Sequence, residues 1–531
     1  MRKSDAQKSE RLDFAKFLIH LADELPIAPS FRNPNRVFLA NGGCVSFEHA
    51  GVAESEHGML ECATPECRSP RELLCYQVAL ETLISDSVKS TFSKNDALLI
   101  KGSADAHGHT FGQHESYDVT IGRGIALFGW RMGLVLMLPM LVVYQLMSLV
   151  WFLLFWLVSQ IAFRANWRRS SLADEGLSME PESAVLSSRW LNWCATGLRV
   201  LHMPIAWALW LNIYWFALLP QRRHLAAFFA SRCIIDGSGF LDRENRYWIS
   251  ARSATVNSTI GFGSYRNERP IFRCDSWLRG LCTDSDWTFR FYRKLFRSRQ
   301  RIEIAIGDSG LCEQSQYVRL GATSLVFDLV ELSTCVTPRL KNPIEAIQRF
   351  AKDWMLLASA ADGARRQWTA LDIQHAYAAN VRAMLQTKEN VPLEAWKVLD
   401  QWQTTLNQLR PTDDEINLPR SMLGRVDWLS KLWLIHQMKS DSTWAVRKKI
   451  DLRYHELSDE GYHYRLNQML GLAPLLMADE KSRARRNPPA ESPALKRGYL
   501  IREFSESDSQ LRVDWTYAEL VLEGRLKQVE F

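Results

Sequence analysis

Little in this chain points to nucleic acid, to a secreted scaffold or to a cysteine-bound metal. Its 65 basic residues stand against 59 acidic ones for a net +6, too mild an excess to argue for nucleic acid, and no long basic block supports one. Ten cysteines are scattered along the chain, and only Cys62 and Cys67 lie close, as C-x4-C. No second Cys or His pair follows at zinc-like spacing, so reduced, packed thiols are expected. The opening "MRKSDAQKSERLDFAKFLIHLADEL" lacks the apolar core of a secretory signal, so any membrane targeting is expected from inside the sequence. Internal repeats are also missing. What is present is a folded composition, 47% hydrophobic and 23% charged over 531 residues, enough for roughly two to four domains.

Two internal stretches are fit for a bilayer. Met132 to Phe163 carries no charge between Arg131 and Arg164, and Val200 to Pro220 carries none beyond a possible proton on His202. The second is about one membrane thickness; the first exceeds the roughly 20 residues a helix needs, so it must tilt, kink at Pro139 or lie partly along the interface. Trp151, Trp156, Trp207, Trp210, Tyr214 and Trp215 crowd these runs as expected near headgroups. A buried core helix rarely stays apolar on every face for so long, so a transmembrane hairpin is expected. If the flanks form one domain, the chain returns to the side it left. Arginines lie both on the flanks and in the connecting loop, so charge does not set the orientation.

The remainder reads as mixed α and β. "RVFLANGGCVSFEHAG" is strand, Asn-Gly-Gly turn, strand. "SPRELLCYQVALETLISDSV" is a helix after a Ser-Pro start, and "RIEIAIGDSG" a strand followed by a helix. Helical patterns dominate from Pro343 to about Met477. "KSRARRNPPAES", from Lys481, reads as a solvated linker before a small C-terminal module containing "LRVDWTYAELVL".

Four segments bunch acids, histidine and tight turns: "NGGCVSFEHAG", "LECATPECRSPRE", "KGSADAHGHTFGQHESY" and "RIEIAIGDSGLCE". Together, in this order, they resemble the Pup ligases and depupylases, glutamine-synthetase-like carboxylate–amine ligases that attach the ubiquitin-like modifier Pup to lysines or remove it. "LDIQHAY", "RVDWLSK", "DLRYHEL" and "RVDW" follow in the family's order. The resemblance implies an α+β fold: a curved antiparallel sheet cradle packed with helices, a small C-terminal domain and an inserted transmembrane α-hairpin. The expected divisions are 1–124 and 221–480 for the cradle, 125–220 for the hairpin and 481–531 for the linker and C-terminal domain.

By resemblance, ATP and Mg²⁺ are the cofactors. Carboxylates on alternate strand positions suit a hard cation that neutralises charge as a phosphoryl group moves. Glu48 falls on the family's general base, Glu61 would ligate Mg²⁺, Thr64 would contact ATP, and Trp515 would lie against the nucleotide. Glu115 would ligate metal in the same cradle with His114 beside it, while Arg301 and Asp308 would organise phosphate and metal. The implied partners are a Pup-like modifier, lysine-bearing targets and the membrane, with no nucleic acid. The expected place is the cytoplasmic membrane, catalytic body facing the cytoplasm, in a pathway linked to proteasomal degradation.

Departures from the family pattern keep other readings open. Strand alternation puts Cys44, Ser46 and Glu48 on one face, where the family carries an arginine, a metal-ligating tyrosine and an aspartate. Ser116 and Gly310 replace two asparagines. The family's opening Gly-x-Glu-x-Glu strand does not precede the first helix: either an upstream glutamate completes the metal set, or the strand is absent, Mg²⁺ keeps too few ligands and ATP turnover is expected to be poor. The alternatives are a depupylase or deamidase using the same cradle, and a catalytically weak membrane scaffold that binds the modifier.

Overall fold

The structure, a computed structural model, describes residues 3–48, 59–92, 97–170, 182–283, 290–332, 338–410, 419–439, 441–505 and 510–531. Two four-stranded sheets hold the segments that drew attention in the sequence. In the first, Ile27–Pro29, Arg36–Leu39, Cys44–Glu48 and Met59–Ala63 run as an antiparallel meander. Its central turn follows from the Asn-Gly-Gly triplet. Asn41 Oδ1 accepts a hydrogen bond from the Gly43 amide at 3.0 Å, and Gly42 takes φ +87°, open to glycine without steric cost. Val37, Leu39 and Val45 share a buried core with Phe17 and Leu21 of the Lys3–Glu24 helix and with Leu80 and Leu83 of the Pro70–Thr91 helix. Ser69 caps the latter by accepting from the Glu72 amide, with proline in the first turn.

The second sheet orders Gln113–Thr120, Arg299–Gly307, Pro270–Arg273 and Ser258–Gly261. Its first two pairings are antiparallel and its last is parallel. The cradle is therefore shared between two sheets, one of them mixed, where a single antiparallel sheet was expected. The Glu313–Glu331 helix lies buried behind the second sheet, and the helices Ala370–Thr387 and Leu393–Gln408 extend its core.

The supposed linker is helix. Ala478–Arg486 is α-helical, and the Asn41 amide donates to the Ala484 and Arg485 carbonyls at 3.3 and 3.2 Å. Arg485 pairs with Asp86 at 2.5 Å and Glu24 at 2.7 Å. The C-terminal three-stranded sheet adds Leu511, Val513, Ala518 and Leu520 to the core of the first sheet, and Val513 bridges to Ser30. It completes that layer and does not stand apart from it.

The helices Gly124–Ser170 and Glu182–Trp215 run antiparallel, each passing through a proline, Pro139 and Pro204. Their register is set by Asn212, whose amide donates to the Trp130 carbonyl at 3.0 Å, and by Tyr144 hydrogen-bonded to His202. Among the described residues one helical stretch, Gly124–Ile161, is long and apolar enough to cross a membrane. The base of the hairpin is docked on the body. Trp130 donates to the Leu295 carbonyl at 2.8 Å and stacks obliquely on Trp277 at 5.5 Å, while Tyr292 donates to the Leu134 carbonyl at 2.8 Å. Leu134, Met137, Leu141 and Ile205 belong to the same core as Leu278 and Leu281.

Candidate active site

The first sheet presents a carboxylate pair. Register puts Ser46 between Arg36 and Glu61, and paired positions share a face, so Arg36, Cys44, Ser46, Glu48 and Glu61 look the same way. The Ser46 hydroxyl lies 3.5 Å from Glu61 Oε2. Burial first, then a hydrogen bond and repulsion from Glu61, push the Glu48 carboxyl above its usual range, with Arg36 and Arg273 opposing. Two carboxylates this close repel each other unless a cation lies near them. That donor set fits a divalent ion, with Glu48 and Glu61 as the oxygens that would hold it.

The second sheet turns a cationic face toward the pair. Glu303 is in register with Ser116 and with Arg273, so His114, Ser116, Arg301, Glu303 and Arg273 share a face. Arg273 reaches Asp275 at 2.7 Å and Glu303 at 3.2 Å, and His114 Nδ1 lies 2.8 Å from Glu303 and 3.0 Å from Arg273. Burial raises the Glu303 carboxyl, but His114, Arg273 and Arg301 together hold it below the usual range. Behind Arg273, burial and then the like charges of Arg269 and Arg273 bring Arg252 down to about 10. Sequence reasoning missed Arg36, Arg252, Arg273 and Glu303. The signal available was the alternation of "PIFRCD" and "RIEIAIG", which puts Arg273 and Glu303 on faces that only pairing can match.

A third group closes the end near Thr64, which follows the Met59–Ala63 strand. Arg497 pairs with Glu66 at 2.8 Å, donates to the Gly42 carbonyl at 2.8 Å and lies 4.8 Å below the Trp515 ring. Trp515 meets Phe38 edge-on at 5.1 Å and stays half-buried. Cys44 lies between these groups. Burial pushes its thiol up to about 12 despite Arg36 and Arg497, so it is neutral where the family carries a cation.

Two expected ligands lie elsewhere. Glu115 follows His114 and so points to the opposite face, where it is 5% exposed. Arg232 grips both its oxygens at 2.9 and 3.0 Å and Tyr117 donates at 2.7 Å. Burial would raise this carboxyl, but Arg232 and Arg319 hold it below the usual range. Asp308 is fully buried and accepts from the amides of Ser238, Ala251 and Arg252 at 2.9, 3.2 and 2.9 Å. It fixes the segment carrying Arg252 and makes no opening toward a metal. Arg301 is exposed on the cradle face. Among the described residues, one cluster with possible metal-ligating atoms is Cys312, Asp427 and His463. There Asp427 already accepts from the Leu311 and Cys312 amides and the Tyr454 hydroxyl, at 3.0, 3.1 and 3.1 Å.

The chain is similar to proteins of a known family. The family model described as Pup-ligase protein matches residues 2–519. The chain belongs to the Pup-ligase family. Among curated members, the Pup–protein ligase of Acidimicrobium ferrooxidans is 28% identical over 305 residues, covering 56% of this chain and 62% of the relative. The Pup deamidase/depupylase of Mycolicibacterium smegmatis is 29% identical over 291 residues, covering 53% and 54%. These matches span less than two thirds of either relative. The fold agrees with the Pup ligase PafA in complex with ADP, at TM-score 0.61 and 18% identity over 94% of this chain and 86% of that one. It also agrees with PafA in its complex with Pup, at TM-score 0.63 and 18% identity over 98% and 83%.

Proposed function

We propose that this Pup-ligase family member joins the C-terminal glutamate of a Pup-like modifier to target lysines at the expense of ATP, and that the hairpin anchors it in the cytoplasmic membrane. The observation that carries the reading is the Glu48–Glu61 pair on one face of the first sheet, with Arg273 of the second sheet close enough to act on both. In this reaction class the glutamate carboxyl is phosphorylated, the lysine amine attacks the acyl carbon, and phosphate leaves with a net proton released. A magnesium ion bound by Glu48 and Glu61 would screen the phosphate oxygens. Arg273, Arg252 and Arg301 receive anionic substrate on the second sheet, with His114 and Glu303 holding Arg273 in place. Glu48 takes the proton from the attacking amine. Thr64 and Trp515 border the nucleotide. ATP and modifier are cytosolic, so the body faces the cytoplasm and the far ends of the two hairpin helices the other side, with 125–220 as an insertion.

Relatives of ligase and depupylase type match to nearly equal identity, which supports a second reading in which the same acid attacks an isopeptide carbonyl. Detergent-solubilised protein incubated with Mg-ATP, Pup ending in glutamate and a lysine-bearing target separates them. Conjugate that is lost in Glu48→Ala supports ligation, and release of Pup from a preformed conjugate supports hydrolysis. Pup binding with neither activity leaves a scaffold, the outcome toward which neutral Cys44 leans.

A further inference from the structure

The exposure pattern of the first hairpin helix changes near Tyr144. Below it, the exposed positions Ile125, Phe128, Met132, Val135, Leu136 and Val142 follow helical spacing along one face, while Trp130, Leu134, Met137 and Leu141 are buried against the body. Above it, Leu146, Met147, Leu149, Val150, Phe152 and Leu153 are exposed on nearly all sides. The body climbs with the helix through this lower part. Trp277 packs at Trp130, and the Cys282 carbonyl lies 3.5 Å from the Tyr144 hydroxyl, a rise of about 21 Å of helix axis. The body segment alongside carries exposed Arg279, Arg293 and Lys294, charges that hydrocarbon does not admit. Yet the helix runs 47 residues, about 70 Å, against about 30 Å of hydrocarbon. The part beyond Tyr144 alone is long enough to cross.

The open apolar stripe of the lower part lies between two sets of cations. On one side Arg222 sits 3.9 Å from the Tyr214 ring and Arg266 4.5 Å from the Trp207 ring, with Glu268 partly offsetting Arg266 at 3.8 Å. On the other, Arg131 donates to the Phe296 carbonyl at 3.0 Å, next to exposed Arg293, Lys294 and Arg297. None of these last three meets a carboxylate among the described residues. Apolar stripe, flanking aromatics and flanking cations are the surface pattern of an element that lies in the headgroup region, its stripe at the acyl boundary and its cations on lipid phosphates.

We propose that the lower hairpin, Gly124 to Tyr144 with its partner helix, is an interfacial contact for anionic phospholipid headgroups of the near leaflet, and that bilayer crossing begins only beyond Tyr144. The inference rests on the reading of the hairpin as a membrane anchor. It goes further by naming the lipid class and by fixing how close the cradle is held to the surface.

The test is photocrosslinking of the full chain in nanodiscs of mixed phosphatidylglycerol and phosphatidylcholine, with benzoylphenylalanine at Leu136 or at Leu153, both exposed side chains (71% and 56%). Lipid adducts at both positions are expected, those at Leu136 enriched in phosphatidylglycerol about 5-fold over its bulk share, a factor that one surface cation supplies. In the triple variant Arg293→Gln, Lys294→Gln, Arg297→Gln the enrichment falls while the Leu153 adduct is unchanged. Lipid at Leu153 with none at Leu136, a protein–protein adduct at Leu136, or adducts at Leu136 without lipid preference each overturn the interfacial contact and leave the anchor standing. No lipid at Leu153 overturns the anchor itself.

Discussion

Arg232 is fully buried and serves two carboxylates at once, Glu115 through both oxygens and Asp236 at 3.0 Å. With Arg319 beside Glu115 at 3.5 Å, this is an interior ion network behind the cradle. Removing one member leaves charge buried and unpaired. Glu115→Gln is therefore expected to cost about 3 kcal/mol of stability, read as a lowered Tm in detergent. A metal-ligand role for Glu115 predicts an unchanged Tm with loss of magnesium-dependent activity. Asp236 reports the same crowding. Burial lifts its carboxyl to about 7, against the pull of Arg232. Between about pH 4 and 7 the folded chain keeps a proton that the unfolded chain has lost, so this residue makes stability fall as pH rises through that window. Asp236→Asn should remove that component of the slope in melts across the range. From the sequence, Glu115 and His114 are expected side by side in the cradle, although adjacent strand residues face opposite ways. Which face was the cradle depended on Arg232, more than a hundred residues away.

At the scale of elements, the foot of the hairpin is bound into the body while its upper part is not. The base of the hairpin shares a core with Trp277, Leu278 and Leu281, so deleting Ile125 to Leu218 strips these residues of their partners. That variant should fail to give a cooperative melt. Deleting Leu146 to Val200 and bridging the stem with a short glycine-serine loop should keep the body folded, because Trp130 and Tyr292 retain their bonds to Leu295 and Leu134. Equal behaviour of the two deletions, by calorimetry or limited proteolysis, would contradict this. The strands and helices themselves were legible from periodicity and caps, as at Ser69 and Asn41. The "KSRARR" stretch was misread because the partners of Arg485, Asp86 and Glu24, lie some four hundred residues earlier.

For the whole molecule, the proposed activity depends on two sheets meeting. Arg273 feels Glu61 across the gap, and Glu48 feels Arg273. Arg273→Gln should lower kcat/KM for conjugation by about 100-fold with little change in Tm, since a cation aimed at a developing or transferring charge acts mainly in the transition state. Because Glu61 is a cause of the raised Glu48 carboxyl, Glu61→Gln should move the acid limb of the conjugation rate toward lower pH, as well as weakening magnesium dependence. An acid limb that stays in place would deny Glu48 the role of base.

The sequence by itself determined the family, the α+β alternation, the long apolar run and the shared face of Cys44, Ser46 and Glu48, because these rest on local order and a period of two or 3.6 residues. Only the tertiary structure decided that Glu115 and Asp308 are interior anchors, that Arg273 and Glu303 line the cradle, and that the foot of the hairpin is gripped by the body. Each of those outcomes turns on which partner a charged or apolar side chain finds after the chain has closed long loops, and periodicity carries no record of that choice.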